Sequence, residues 1–209
     1  MRGLKREFLR VQDGEKLHYG GNQAWDPKKG VQKSACGPVA ATDVISFLEG
    51  RSQMDRSEFM KKMTRLRRSY FPIVPYLGTH GPGLAFGMNL YFWIHKMPYR
   101  AGWGLSAKKR DARIDAMLAQ NIPVILCIGN NFPRFWRNAK LTLYRKDYNG
   151  FHPYSKTKAH FVIVTGMDES WYRISSWGKE LFINRAEFET FAKKDSCAPL
   201  SNIIWIKRK

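Results

Sequence analysis

Acidic side chains are scarce in this chain: 17 Asp and Glu stand against 36 Lys and Arg, a formal net charge of +19. Such a field attracts anionic partners and acidic substrates and speeds their association. Nucleic acid is the alternative partner. The basic residues are dispersed, however, in groups such as Lys61, Lys62, Arg65 and Arg68, or Lys108, Lys109, Arg110 and Arg113. Both groups decorate predicted amphipathic helices whose buried stripes are Phe59, Met63, Leu66 and Tyr70, or Ile114, Met117 and Leu118. A solvated face is therefore favoured over a nucleic-acid stripe. Cysteine is also rare. The three cysteines, Cys36, Cys127 and Cys197, are odd in number and widely spaced, which argues against a disulfide framework and suits a reducing compartment. No Cys-x-x-Cys pair or paired-histidine spacing points to zinc, so neither a metal nor a cofactor is expected. No apolar run approaches the ~18–20 residues of a membrane-spanning helix. Residues 1–10 are basic but lack the apolar stretch of a signal peptide, and a cytoplasmic location is expected.

A hydrophobic content of 44% over 209 residues can fill one core, and a single domain, 1–209, is expected. The most informative residue in it is Cys36, in the run Ser34, Ala35, Cys36, Gly37, Pro38. Beyond it Ala40, Val44, Phe47 and Leu48 recur at helical spacing, and Gly50 is the expected stop. Pro38 fits only a first helical turn, so Cys36 lies at the positive end of a largely buried helix. That position stabilises a thiolate, the form in which cysteine is a nucleophile. The plainer alternative is a small core cysteine.

The second informative residue is His160, which opens the near-continuous apolar run 160–166. The run reads as a strand, turned by Met167 to Ser170 and followed by a returning strand from Trp171 to Ser176. His160 then shares a face with Val162 and Val164 at the mouth of a buried strand. A thiol at a helix start and an imidazole at a strand start are the two halves of a nucleophile–base pair.

The ordered set of Cys36-Gly37-Pro38, then His160 to Gly166, then Ile174, Ser175, Ser176, Trp177 and Gly178 resembles the papain-like cysteine peptidases. Within them it most resembles the bacteriocin-processing type, which cleaves double-glycine leader peptides, and its free-standing bacterial relatives. The resemblance spans roughly residues 20 to 184, carried by three short patches. It implies a nucleophile at Cys36 and a general base, later general acid, at His160. The family orients its imidazole with Asn or Asp. Spacing from the histidine puts Ser176 at that position, and alignment on the Asn-Ser-Trp-Gly signature puts Ser175 there; this chain departs from the pattern either way. For the oxyanion, Gln23 in a glycine-loosened loop is preferred over Gln32, which is close enough to Cys36 to lie in the turn before the helix. Trp177 is expected over the imidazole, while His80 reads as a surface-turn residue and Cys127 as an inert strand residue.

Along the chain, a loop-rich opening to about residue 33 precedes helices near 36–49, 55–69, 84–96 and 106–120. The segment 70–75 breaks the second of these. Strands are expected near 123–128, 159–165, 171–176, 180–183 and 202–207, with a helix at 185–194. Residues 130–158 read as a substrate-lining loop or hairpin. This is an α+β pattern with the papain-like fold: a helical lobe, about 20–120, carrying the thiol against an antiparallel β lobe, about 121–209, carrying the imidazole. The expected activity is thiol hydrolysis of peptide bonds in a peptide or protein substrate. The alternatives are another amide hydrolase or acyl transferase on the same fold, or a non-catalytic peptide- or nucleic-acid-binding relative.

Overall fold

The computed structural model describes residues 1–73, 78–104, 106, 109–197 and 199–209. Pro75 and Lys108 therefore lie outside the described residues. In chain order the elements are β1 (Arg2–Gly3), β2 (Arg10–Asp13), β3 (Lys16–Tyr19), α1 (Lys29–Ser34), α2 (Cys36–Leu48), β4 (Gln53–Asp55), α3 (Arg56–Ser69) and α4 (Gly81–Ile94). They continue with β5 (Tyr99–Trp103), α5 (Arg110–Ala119), β6 (Val124–Ile128), β7 (Leu141–Asp147), β8 (Gly150–Thr157), β9 (His160–Met167), β10 (Trp171–Ser176), β11 (Lys179–Asn184), α6 (Arg185–Lys194) and β12 (Ile203–Arg208). The chain mixes helices with a mainly antiparallel sheet, an α+β arrangement.

The main sheet runs β5-β12-β6-β9-β10-β11-β7-β8, with β1 added beside β9. The pairings within it are antiparallel. A small second sheet, β3-β2-β4, holds the parallel pair β2–β4. Helix α2 packs on β9 and β6 and is buried from Gly37 through Phe47, which explains why its sequence carries so few polar residues. Burying Val44, Ile45 and Phe47 stabilises the docking of α2 by about 2 kcal/mol for each side chain. Helix α3 places Phe59, Met63 and Leu66 inward and exposes Lys61, Arg65 and Arg68.

Three expectations are revised, and the hairpin expected within 130–158 is present. The opening segment is not a plain loop but contributes β1 to β3, tied into both sheets. Residues 99–103 form β5 and pair with β12. Residues 130–158 supply the β7–β8 hairpin, of which Leu141 and Leu143 are buried and the outer half is exposed. Arg110 is fully buried rather than solvated: it pairs with Glu189 and Asp111, and its guanidinium lies 4.6 Å over the Phe188 ring.

Candidate active site

Cys36 is the first residue of α2. Ala35, with φ −94° and ψ 14°, ends α1 and precedes α2, so the chain turns sharply between the two helices. No side chain caps the start of α2. The unfilled N–H groups of a first helical turn carry the positive end of the helix dipole. Burial nevertheless pushes the Cys36 thiol above its ordinary pKa, and the backbone N–H groups of Phe161, Gly37 and Cys36 itself offset only part of that shift. The expectation of a resting thiolate is thus corrected: desolvation outweighs the helix terminus.

His160 is the first residue of β9, paired with Ile128 of β6 and 7% exposed. Its Nε2 lies 2.8 Å from the Ser176 Oγ. The indole of Trp177 stacks on the imidazole with centroids 4.7 Å apart and planes 19° apart. Burial lowers the imidazole pKa to about 4. Trp177 and Gly178 form the two-residue turn between Ser176 of β10 and Lys179 of β11, both with positive φ, 53° and 71°. Such a turn follows the twist of its flanking strands, and a bulky residue there is strained unless its surroundings hold it. The stack on His160 is one such hold. Ser175, adjacent on the strand, faces the other way: its Oγ donates to the Tyr19 carbonyl at 2.7 Å. Tyr19 N–H in turn donates to the Gly178 carbonyl at 2.9 Å. The end of β3 is therefore clamped across the turn that carries Trp177.

Cys36 and His160 open onto one cavity of about 490 Å³, with Thr79, His80, Trp103 and Cys127 among its walls. The expected thiol–imidazole hydrogen bond is not among those formed by the described residues. The His160 Nε2 is engaged by Ser176 instead. Neither glutamine lines this cavity. Gln23 sits in a short 3₁₀ turn, Gln23–Trp25, and donates through Nε2 to the Gln32 carbonyl at 2.6 Å. Gln32 lies in α1 and donates to the Asp26 carbonyl at 2.7 Å.

Cys127, read as an inert strand residue, and His80, read as a surface-turn residue, both belong to the walls. Cys127 pairs across strands with Phe161, beside the thiol, and its own pKa is pushed up by burial and then by Cys36. His80 precedes α4, and its Nδ1 accepts the Gly83 N–H at 3.0 Å. Strand register brings Cys127 there and leaves no trace in local sequence, whereas His80 keeps the exposed turn position expected of it. Seven residues further along α2, Asp43 is buried, and its two carboxyl oxygens accept the Gly21 N–H at 2.9 and 3.1 Å. Desolvation raises its pKa to about 8, so it is a neutral acid at pH 7. Among the described residues no group of three or more His, Cys, Asp or Glu could hold a metal ion. Nor is any helix among them long and apolar enough to cross a membrane.

No family model matches this chain, and no curated protein matches it. Among solved structures it is similar to one described as a "putative C39-like peptidase" from Bacillus anthracis, with a TM-score of 0.54 and 14% identity. The match covers 90% of this chain and 94% of that one. At that identity the likeness establishes a shared fold.

Proposed function

We propose that this protein is a cysteine peptidase in which Cys36 is the nucleophile, His160 the general base and Ser176 the residue that orients the imidazole. The observation that carries this reading is the convergence on one cavity of a thiol at a helix start and an imidazole at a strand start, from distant parts of the chain. The fold shared with the Bacillus anthracis protein agrees with it. In this reading residues of about 20–120 form the helical lobe and residues of about 121–209 the β-rich lobe, with β5 crossing into the main sheet.

The resting pair is neutral, a thiol and an imidazole on the walls of one cavity. Nε2 is engaged by Ser176 Oγ, so in the tautomer that carries its hydrogen on Nε2 the free Nδ1 is the nitrogen that takes a proton. As a peptide carbonyl docks, the Cys36 sulfur bonds to its carbon while its proton passes to Nδ1 of His160. The carbonyl electrons move onto oxygen, next to the Cys36 N–H at the helix terminus. Gln23 is the second oxyanion donor in this scheme, and that role requires its amide to leave the Gln32 carbonyl. Collapse of the tetrahedral adduct breaks the C–N bond, and the imidazolium protonates the leaving amine. Water, activated by the same imidazole, hydrolyses the thioester and restores the thiol.

The reading is tested by incubating the protein with a mixture of unstructured peptides and identifying products by mass spectrometry. Cleavage is expected and should disappear in both Cys36→Ala and His160→Ala. Peptide binding without cleavage would replace the enzyme with a peptide-binding relative of the same fold.

A further inference from the structure

A second cavity, about 610 Å³, lies between α3 and residues 25–28. Its floor is apolar, formed by Trp25, Pro27 and Met60, and its rim carries Lys28, Lys61, Arg65, Arg67 and Arg68. The one carboxyl group on its walls, Asp26, is 5% exposed, with its Oδ1 taken by the Lys28 N–H at 2.9 Å. Among the described residues no ion pair engages any of the five cations, and the Arg67 Nε is buried without a partner.

The neighbouring cavity on the same helix shows what compensation looks like. About 380 Å³ in volume, it is lined by Arg51, Lys61, Lys62 and Arg65 together with Glu49 and Glu58. There Lys62 pairs with Glu49, and Arg51 with Glu58 at 3.3 Å. Helix-dipole complementarity accounts for Arg67 and Arg68 in the last turn of α3. It accounts for neither Lys28, outside the helix, nor Lys61, in its middle. Five like charges around an apolar floor repel one another, and the floor strengthens any anion they hold by excluding water.

We infer that this groove binds acidic side chains of the peptide substrate at a distance from the bond that is cut; that use of the bound peptide rests on the peptidase reading above. Carboxylates suit it better than nucleic acid. Single-stranded nucleic acid stacks its bases on successive aromatic platforms. The described walls hold one aromatic residue, Trp25, which already meets His18 and Phe59 edge-on and carries the Arg56 guanidinium over its ring. The groove is joined to the thiol by α1, a single helix that spans about 9 Å. An extended peptide advances about 3.3 Å per residue, so the acidic residues lie about three or more residues from the scissile bond.

The test uses the full chain carrying Cys36→Ala and a fluorescein-labelled octaglutamate peptide, read by anisotropy. Binding should weaken with salt. The triple variant Lys28→Gln, Lys61→Gln, Arg68→Gln should weaken it by about tenfold or more. A control triple on the exposed end of β5 and β12, Arg100→Gln, Lys207→Gln, Arg208→Gln, removes the same charge and should change it by less than about twofold. Equal losses in both triples would reduce the effect to net charge and overturn the site. Tighter binding of oligothymidylate, lost in the groove triple, would overturn the peptide assignment in favour of nucleic acid. With Cys36 intact, the groove triple should lower kcat/KM on an acidic-tailed peptide and spare the same peptide without the tail. The binding arm needs no cleavage, so octaglutamate binding lost only in the groove triple, with no peptide ever cut, sustains the groove and removes the peptidase reading.

Discussion

At the residue scale, the chemistry turns on a competition that His160 loses to its surroundings. An exposed imidazole titrates near 6.5; burial against Trp177, with an uncharged serine on Nε2, takes it to about 4. A base works only unprotonated, so the acid limb of kcat/KM should fall near pH 4 rather than near 6.5. Ser176→Asp places a negative charge where the hydroxyl stood, which favours imidazolium and should move that limb upward by at least one pH unit or so. A pH–rate profile of both proteins checks this; an unmoved limb would mean that the limb reports another group. The same burial reverses one expectation about the thiol. Alkylation of Cys36 should be slow at pH 6 and rise with pH, because the thiol is held neutral rather than as thiolate. The residue types and their order were legible in the sequence. The desolvation that sets their ionisation was not, because it depends on which walls close around them.

At the scale of elements, what the chain revealed beforehand depended on periodicity. Helices α2, α3 and α6 carry apolar stripes long enough to be read, and α6 adds Asn184, whose side chain accepts the Glu187 N–H. Strand β5 was invisible for a physical reason. It is short and contains Gly102, where an added Cβ would sit 2.2 Å from the indole of Trp205. That glycine makes sense only with β12 lying alongside and its tryptophan covering the gap. In β2 and β3 only Val11 and Tyr19 are buried, too few to show alternation. The segment from Gln23 to Ser34 bears on function through its attachment to Cys36. Its tie is the Gln23 amide on the Gln32 carbonyl. If Gln23 moves to the oxyanion, Gln23→Ala should cost about 10²–10³ in kcat with KM little changed. If it only fastens α1, the same change should lower thermal stability by about 1 kcal/mol and leave kcat within about threefold. Steady-state kinetics and a melting curve on one variant separate the two roles.

For the whole molecule, two buried groups, His160 and Asp43, give folding stability an unusual dependence on pH. His160 is depressed to about 4, so between pH 4 and 6.5 the unfolded chain binds the extra proton and stability rises with pH. Asp43 is raised to about 8, so from about pH 4 to 8 the native state holds the extra proton and stability falls with pH. The two slopes, each about 1.4 kcal/mol per pH unit, oppose one another below pH 6.5, and only the Asp43 slope remains above it. The expected curve is level from 4 to 6.5, then loses about 2 kcal/mol by pH 8. Loss of positive charge as pH rises relieves the self-repulsion of a +19 chain and works in the other direction. Comparison with Asp43→Asn removes that common background. The amide keeps an oxygen for the Gly21 N–H and cannot ionise, so the variant should gain on the parent steadily between pH 6.5 and 8. Urea denaturation midpoints measured across that window decide it: parallel curves for the two proteins would show that Asp43 ionises freely in the native state and that the helix carrying Cys36 packs around a charge.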